Sequence, residues 1–202
     1  MLIDKTLREF ADAVAAKTST PGGGSVASYA SALGAALGTM AARYSEGEAA
    51  AKIVGSLETF KDRFLALVDR DTEAYSKVST AYKLPKKTEA EKEARKGAIQ
   101  AALLEAADVP LEGMRTGVDA LKALEPLAAS CNRNLASDLA SGALLLRAGI
   151  EGCGWNVQIN AAGLADHARR AELETEDSRL RADGARLSEA VLAQAARLVS
   201  RA

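Results

Sequence analysis

Histidine is all but missing from this sequence: His167 stands alone, and the cysteines stop at Cys131 and Cys153. One imidazole, two separated thiols and no Cys-x-x-Cys spacing leave no plausible donor set for zinc, so no metal is expected. Two cysteines do not make a disulfide framework, which points to a reduced, cytoplasmic compartment. Aromatic residues are only 4% of the chain, so a core built here rests on small side chains and closely spaced helices. No apolar run approaches the roughly 18 uninterrupted residues of a membrane span, and the N-terminus has no signal-peptide pattern. The net charge of −1, with no basic stripe carrying interleaved aromatics, argues against nucleic acid as a partner. Runs of β-branched residues, the mark of strands, are absent too.

What remains is abundant alanine, leucine, glutamate, lysine and arginine, the residues that favour helix. With 48% hydrophobic and 26% charged residues in 202, the chain has the composition of one folded domain with a real core. The reading is all-α: a single-domain antiparallel bundle of long helices over 1–202, without internal repeat or linker.

Taken in order, Leu7, Phe10, Ala11 and Val14 mark a first helix over 4–17. Thr20-Pro21-Gly22-Gly23-Gly24-Ser25 follows, a turn whose glycines let a ligand approach the backbone. Ser25 takes the N-cap place of a second helix over 25–45, whose exposed N–H groups and dipole favour a polarised ligand. No Gly-Lys-Ser/Thr closes the turn and no strand precedes it, so it is neither a Walker loop nor a Rossmann turn. Ala27, Ser31, Gly34, Ala35, Gly38 and Ala42 give the second helix faces that another backbone can approach. A third helix over 48–83 carries the stripe Ile53, Leu57, Phe60, Phe64, Leu67, Asp71, Tyr75 and Val78. Asp71 puts a carboxylate in phase with that buried face, as a structural aspartate or as a site group facing a cavity. Pro85 breaks the helix, Thr88 and Glu91 form a capping box for a fourth over 88–107, and Pro110 opens a fifth.

Between Cys131 and His167, one helical face reads Asp138, Gly142, Leu145, Gly149, Cys153, Asn156, Asn160 and Gly163. Polar and very small groups stand where a plain core puts leucine, and buried carboxylates and amides cost free energy unless paired. This favours a ligand-lined or interface groove over a simple cap with interhelical amide bonds. Unbroken, that helix separates Asp138 from Asn160 by roughly 33 Å, so one small ligand meets both only through a break near Gly152-Cys153-Gly154 or a symmetry mate. A charged stretch then leads to a last amphipathic helix with Leu187, Val191, Ala195 and Leu198. Lys86, Lys87, Arg133 and Arg147 are possible partners for an anionic tail, against the plainer alternative of surface solvation.

Together, the glycine turn with Val26-Ala27, Gly34-Ala35-Ala36-Leu37, Asp71-Thr72-Glu73-Ala74-Tyr75 and Leu84-Pro85-Lys86 form one half of an ordered set. Ala98-Ile99-Gln100, Val109-Pro110-Leu111, Ser137-Asp138, Glu151-Gly152 and Asn156-Val157-Gln158-Ile159-Asn160 complete it. In this order and spacing the chain resembles the formiminotransferase-cyclodeaminase C-terminal domain family over nearly its whole length. The resemblance implies an all-helical homodimer acting on one-carbon tetrahydrofolates, with the folate as substrate and no tightly bound cofactor. It places the family's catalytic aspartate on Asp138 and puts Pro21, Gly22, Gly23, Gly24 and Ser25 near the folate. Asp71, Asn156 and Asn160 complete the expected substrate-binding set, the amides offering donor and acceptor to pterin edges. The sequence departs from the family at Ser45-Glu46-Gly47-Glu48, acidic where members often carry a Gly-Lys-Lys turn. The expected activity is hydrolysis of 5,10-methenyl-tetrahydrofolate, because no formiminotransferase domain accompanies the chain. Cyclodeamination of formimino-tetrahydrofolate is the alternative, and a non-catalytic helical interaction module a third reading.

Overall fold

Six α-helices and two 3-10 turns make up the regular structure of the computed structural model, which describes residues 1–200. They are α1 (Leu7–Ala15), α2 (Gly23–Arg43), α3 (Glu48–Tyr82), α4 (Glu89–Ser130), α5 (Ala136–Ala161) and α6 (His167–Ser200), with turns at Leu2–Asp4 and Arg133–Leu135. No strand occurs among the described residues, as the helical periodicity requires.

Local chemistry sets several ends. Thr6 and Glu9 close a capping box at the start of α1, with Glu9 N to Thr6 Oγ1 at 3.2 Å and Thr6 N to Glu9 Oε2 at 2.8 Å. Thr88 and Glu91 do the same for α4. Gly47, with φ +104°, turns the chain into α3 in a conformation that suits glycine. α1 is shorter than the spacing of its apolar residues suggests, because residues 2–4 wind as a 3-10 turn instead.

Successive helices pack antiparallel. α3 and α4 are laced by Arg70–Glu112 at 2.9 Å and Lys77–Glu105 at 2.6 Å, and α5 and α6 by Gln158–Asp177 at 2.7 Å and a short Glu151–Arg181 ion pair. Leu57, Phe64, Leu67, Met114, Leu121, Leu124 and Leu146 are fully buried between the layers, each contributing roughly 1.5–3 kcal/mol of transfer free energy.

One expectation is corrected, and two alternatives that the sequence left open are decided. The fourth and fifth helices are one, α4, running through Pro110 and Pro126. Proline at 110 cannot donate to the carbonyl of Ala106, but Asn160 Nδ2 does so at 2.9 Å, so the helix continues where a local reading ends it. The small-residue faces of α2 and α5 are not left for a second copy. A Cβ at Gly34 would lie 2.8 Å from Gly142 O, one at Gly142 2.9 Å from Gly34 O, and one at Gly152 2.9 Å from Ala27 Cβ. The two backbones therefore touch within one chain. Finally, α5 passes through Gly152 and Gly154 without a break, so Asp138 and Asn160 stay at opposite ends, roughly 33 Å apart at 1.5 Å per residue.

Candidate active site

α2 begins at Gly23 with Gly22 as its N-cap, not at Ser25. The first intrahelical bond is Val26 N to Gly22 O at 3.1 Å, which leaves the amides before it to other partners. Ser25 is thus inside the first turn, fully buried, with its hydroxyl turned onto α3. Its Oγ lies 2.8 Å from Asp71 Oδ2, 3.0 Å from Val68 O and 3.4 Å from Thr72 Oγ1. Asp71 presses against the backbone at Gly24 so closely that a Cβ there would overlap its carboxylate. Gly24 is small because Asp71 occupies the space.

Burial pushes the Asp71 carboxyl above its ordinary range, while the hydroxyl and backbone amide of Ser25 hold it down. On the other side lies Cys153, whose thiol is pushed up to about 12, first by burial and then by the charge of Asp71. A thiol so buried is no nucleophile at neutral pH. Its Sγ sits where Gly113 of α4 leaves room, 3.0 Å from the place of a Cβ.

Above this carboxyl opens a cavity of about 310 Å³. Ser19, Thr20, Gly22 and Gly23 form one wall, Asp71 and Tyr75 of α3 another, and Ala106, Asn156, Ile159 and Asn160 the rest. None of these side chains is cationic. Asn156 Nδ2 donates to Gly152 O at 2.9 Å and stands 3.2 Å from the place of a Cβ on Gly23. Asn160 Nδ2 donates to Ala106 O and to Asn156 O, both at 2.9 Å. A larger groove of about 460 Å³ between α3 and α4 holds Lys77 and Glu105, which pair with each other at an exposed edge. It has no buried titratable group.

Most of the expected site residues therefore converge. Gly22, Gly23, Asp71, Asn156 and Asn160 line the cavity, Gly24 and Ser25 lie directly beneath it, and Pro21 joins Thr20 to Gly22 through a cis peptide bond. Asp138 does not join them. It sits half-buried in the first turn of α5, and its position on that helix puts it roughly 27 Å from Asn156. Arg147 instead meets Glu189 on α6 at 3.5 Å, and His167 is exposed at the start of α6. Tyr75, expected in the buried stripe of α3, is 42% exposed and faces the cavity. Its placement one turn beyond Asp71 is the signal that links the two. Ile159 and Ala106 carry no sequence signal of their own.

Known proteins share this chain's sequence pattern and fold. The sequence profile described as Formiminotransferase-cyclodeaminase matches residues 6–179. A methenyltetrahydrofolate cyclohydrolase of Methylorubrum extorquens is 35% identical over 93% of this chain and 94% of its own length. The formimidoyltransferase-cyclodeaminase of Gallus gallus is also 35% identical, but the chain spans only 37% of that longer protein. Among solved structures, a formiminotetrahydrofolate cyclodeaminase from Thermotoga maritima superposes with a TM-score of 0.87 at 31% identity, covering 98% of this chain and all of that one. With its profile matched from α1 into α6 and its fold shared from end to end, the chain belongs to the formiminotransferase-cyclodeaminase family.

Proposed function

We propose that this protein is a methenyltetrahydrofolate cyclohydrolase, adding water across the cyclic amidine of 5,10-methenyl-tetrahydrofolate to give 10-formyl-tetrahydrofolate. The observation that carries the reading is a single carboxylate, Asp71, half-buried in the wall of a cavity of about 310 Å³ lined by no cationic side chain. The substrate's bridging carbon is part of a delocalised cation, and a carboxylate beside it offers both counter-charge and base. In the ionised form Asp71 takes a proton from the water attacking that carbon. The tetrahedral adduct then expels N5, which receives a proton as the hydroxyl oxygen becomes the formyl carbonyl. Gly24 and Ser25 set the carboxylate against the positive end of α2, which favours its charged form at the moment of attack. In this reading the base is Asp71, in place of Asp138, to which the family resemblance gives the role. Asn156 and Asn160 face the pterin.

The cyclohydrolase reading is preferred because the Methylorubrum extorquens relative is matched over 94% of its length, whereas only 37% of the Gallus gallus protein is spanned. Cyclodeamination is the second reading, favoured by the Thermotoga maritima structure. There N10 attacks the formimino carbon and ammonia leaves, with the same carboxyl moving the proton. One spectrophotometric experiment separates them: loss of methenyl-tetrahydrofolate absorbance in the first case, its appearance from formimino-tetrahydrofolate in the second. A protein that produces neither change overturns both readings.

The reading extends to a cytoplasmic homodimer without a resident cofactor. Both cysteines are free and buried, which suits a reducing compartment. α2 and α5 leave apolar residues outside the bundle, with Leu33 43%, Leu144 51%, Trp155 67% and Ile159 74% exposed. Large exposed apolar groups in phase on one helix mark an interface. Sedimentation of Trp155→Glu/Ile159→Glu as a monomer beside a dimeric wild type is the expected result.

A further inference from the structure

Pro110 has no N–H, so the carbonyl of Ala106, four residues earlier in α4, has no partner from its own helix. Asn160 supplies one across the α4–α5 contact, and its Nδ2 also donates to Asn156 O, each bond being 2.9 Å. A side-chain amide nitrogen carries two hydrogens, and both are now spent. The opposite amide orientation would set Oδ1 against two carbonyl oxygens, so the assignment is fixed by chemistry. Oδ1 accepts no hydrogen bond among the described residues, and it is not one of the buried unpartnered atoms, which are on Asp69 and Arg181. Since Asn160 lines the cavity, its oxygen is the part offered to a ligand.

We propose that Asn160 is a specificity-determining residue held as a pure acceptor by the proline in α4, and that it reads the 2-amino group of the reduced pterin. The inference rests on the folate reading above. Its geometry follows the glycine turn: Gly24 abuts Asp71, Gly23 abuts Asn156, and Asn160 lies one helical turn, about 6 Å, further along α5. The amino-pyrimidine edge is the N–H-bearing part of the pterin farthest from the bridging carbon, so it falls at the end of the cavity away from the carboxylate. An oxo or methyl group in place of the amino group leaves Asn160 Oδ1 desolvated and unpaired.

The test uses two quinazoline folate analogues that differ only at C2, one 2-amino and one 2-methyl, with binding measured by calorimetry. Wild-type protein should prefer the amino compound by about tenfold or more. Asn160→Leu alone orphans the Ala106 carbonyl, so the informative variant is Pro110→Ala/Asn160→Leu, in which the substituted alanine restores an N–H to that carbonyl. That double variant, folded by its melting transition, should bind the two analogues within about twofold of each other. A folded double variant that keeps the wild-type preference overturns the assignment. So does a wild type that turns over methenyl-tetrahydrofolate yet shows no preference. A wild type that neither turns over that substrate nor binds either analogue overturns the folate reading itself, and this inference with it.

Discussion

Ser25 and Asp71 share one short contact, 2.8 Å between Oγ and Oδ2, that joins the first turn of α2 to the middle of α3. The serine hydroxyl has a second acceptor in Val68 O at 3.0 Å, and it owns only one proton. When Asp71 is ionised, the hydroxyl donates to it. When Asp71 carries a proton, that proton can be given to Ser25 Oγ while the hydroxyl turns to Val68 O. Both charge states of the carboxyl are therefore hydrogen-bonded, as a group that takes and returns a proton within one turnover requires.

Asp71→Asn keeps the size of the side chain and removes its charge and basicity. Loss of general-base catalysis is expected to lower kcat by roughly 10²–10⁴-fold with KM nearly unchanged. The fold should persist, because a neutral amide is cheaper to bury than a carboxylate. Circular dichroism and turnover on the same preparation check this, and a variant with wild-type kcat would remove Asp71 from the chemistry.

The pH dependence of stability should carry the same signature. Burial raises the Asp71 carboxyl above its unfolded value, about 3.9 for a free aspartate, so the folded chain holds a proton that the unfolded chain has lost. The stability from this group is fully present below the unfolded value and is lost as pH rises through the folded one. The melting temperature of wild type minus that of Asp71→Asn should accordingly fall with rising pH across that window. Activity should move the other way, since the base must be ionised: kcat/KM rises with pH over the same interval. A flat melting difference there would contradict the burial of this carboxyl.

The glycine turn predicts a graded series. A Cβ at Gly22 meets nothing within 4 Å, one at Gly23 comes 3.2 Å from Asn156 Nδ2, and one at Gly24 overlaps Asp71. Stability should be within about 0.5 kcal/mol of wild type for Gly22→Ala, while Gly24→Ala should lose about 1–3 kcal/mol and most of the activity as the carboxylate is displaced. Gly23→Ala should fall between. Chemical denaturation of the three variants gives the order, and equal stabilities would deny the close approach of Asp71 to α2.

How much of this was legible from sequence depends on whether the signal was local. The stripe from Ile53 to Val78 revealed α3, and the in-phase carboxylate at Asp71 pointed to the candidate cavity that it lines. The capping box at Thr88 is local and set a real helix start, whereas the one at Thr6, equally local, was passed over when the first helix was begun at 4. Pro110 misled because a missing N–H is a local fact whereas its repair by Asn160 is tertiary. The small polar face of α5 was ambiguous for a similar reason. Glycines at 142 and 149 suit a ligand groove or a neighbouring backbone equally well, and only α2 decides between them. Ser25 looked like a cap because its true partner lies 46 residues away.

Asp138 provides the sharpest remaining test, since the family resemblance and the geometry of one protomer assign it differently. It lies in the first turn of α5, where its carboxylate faces the positive end of the helix, and Leu135, not a polar side chain, occupies the N-cap. Asp138→Asn removes that favourable charge, which is worth about 0.3–1 kcal/mol, and leaves the cavity, about five helical turns away, untouched. Turnover per folded molecule is expected to stay within about twofold of wild type, with a small drop in melting temperature. A loss of kcat beyond about 100-fold at unchanged melting temperature would be a transition-state effect, not a folding one. Given the unbroken helix, such a loss has one structural route: the carboxylate would have to enter the cavity of a partner subunit. Mixing Asp138→Asn with Asp71→Asn would then restore activity in hybrid dimers, whereas two variants disabled within the same protomer's site would not complement.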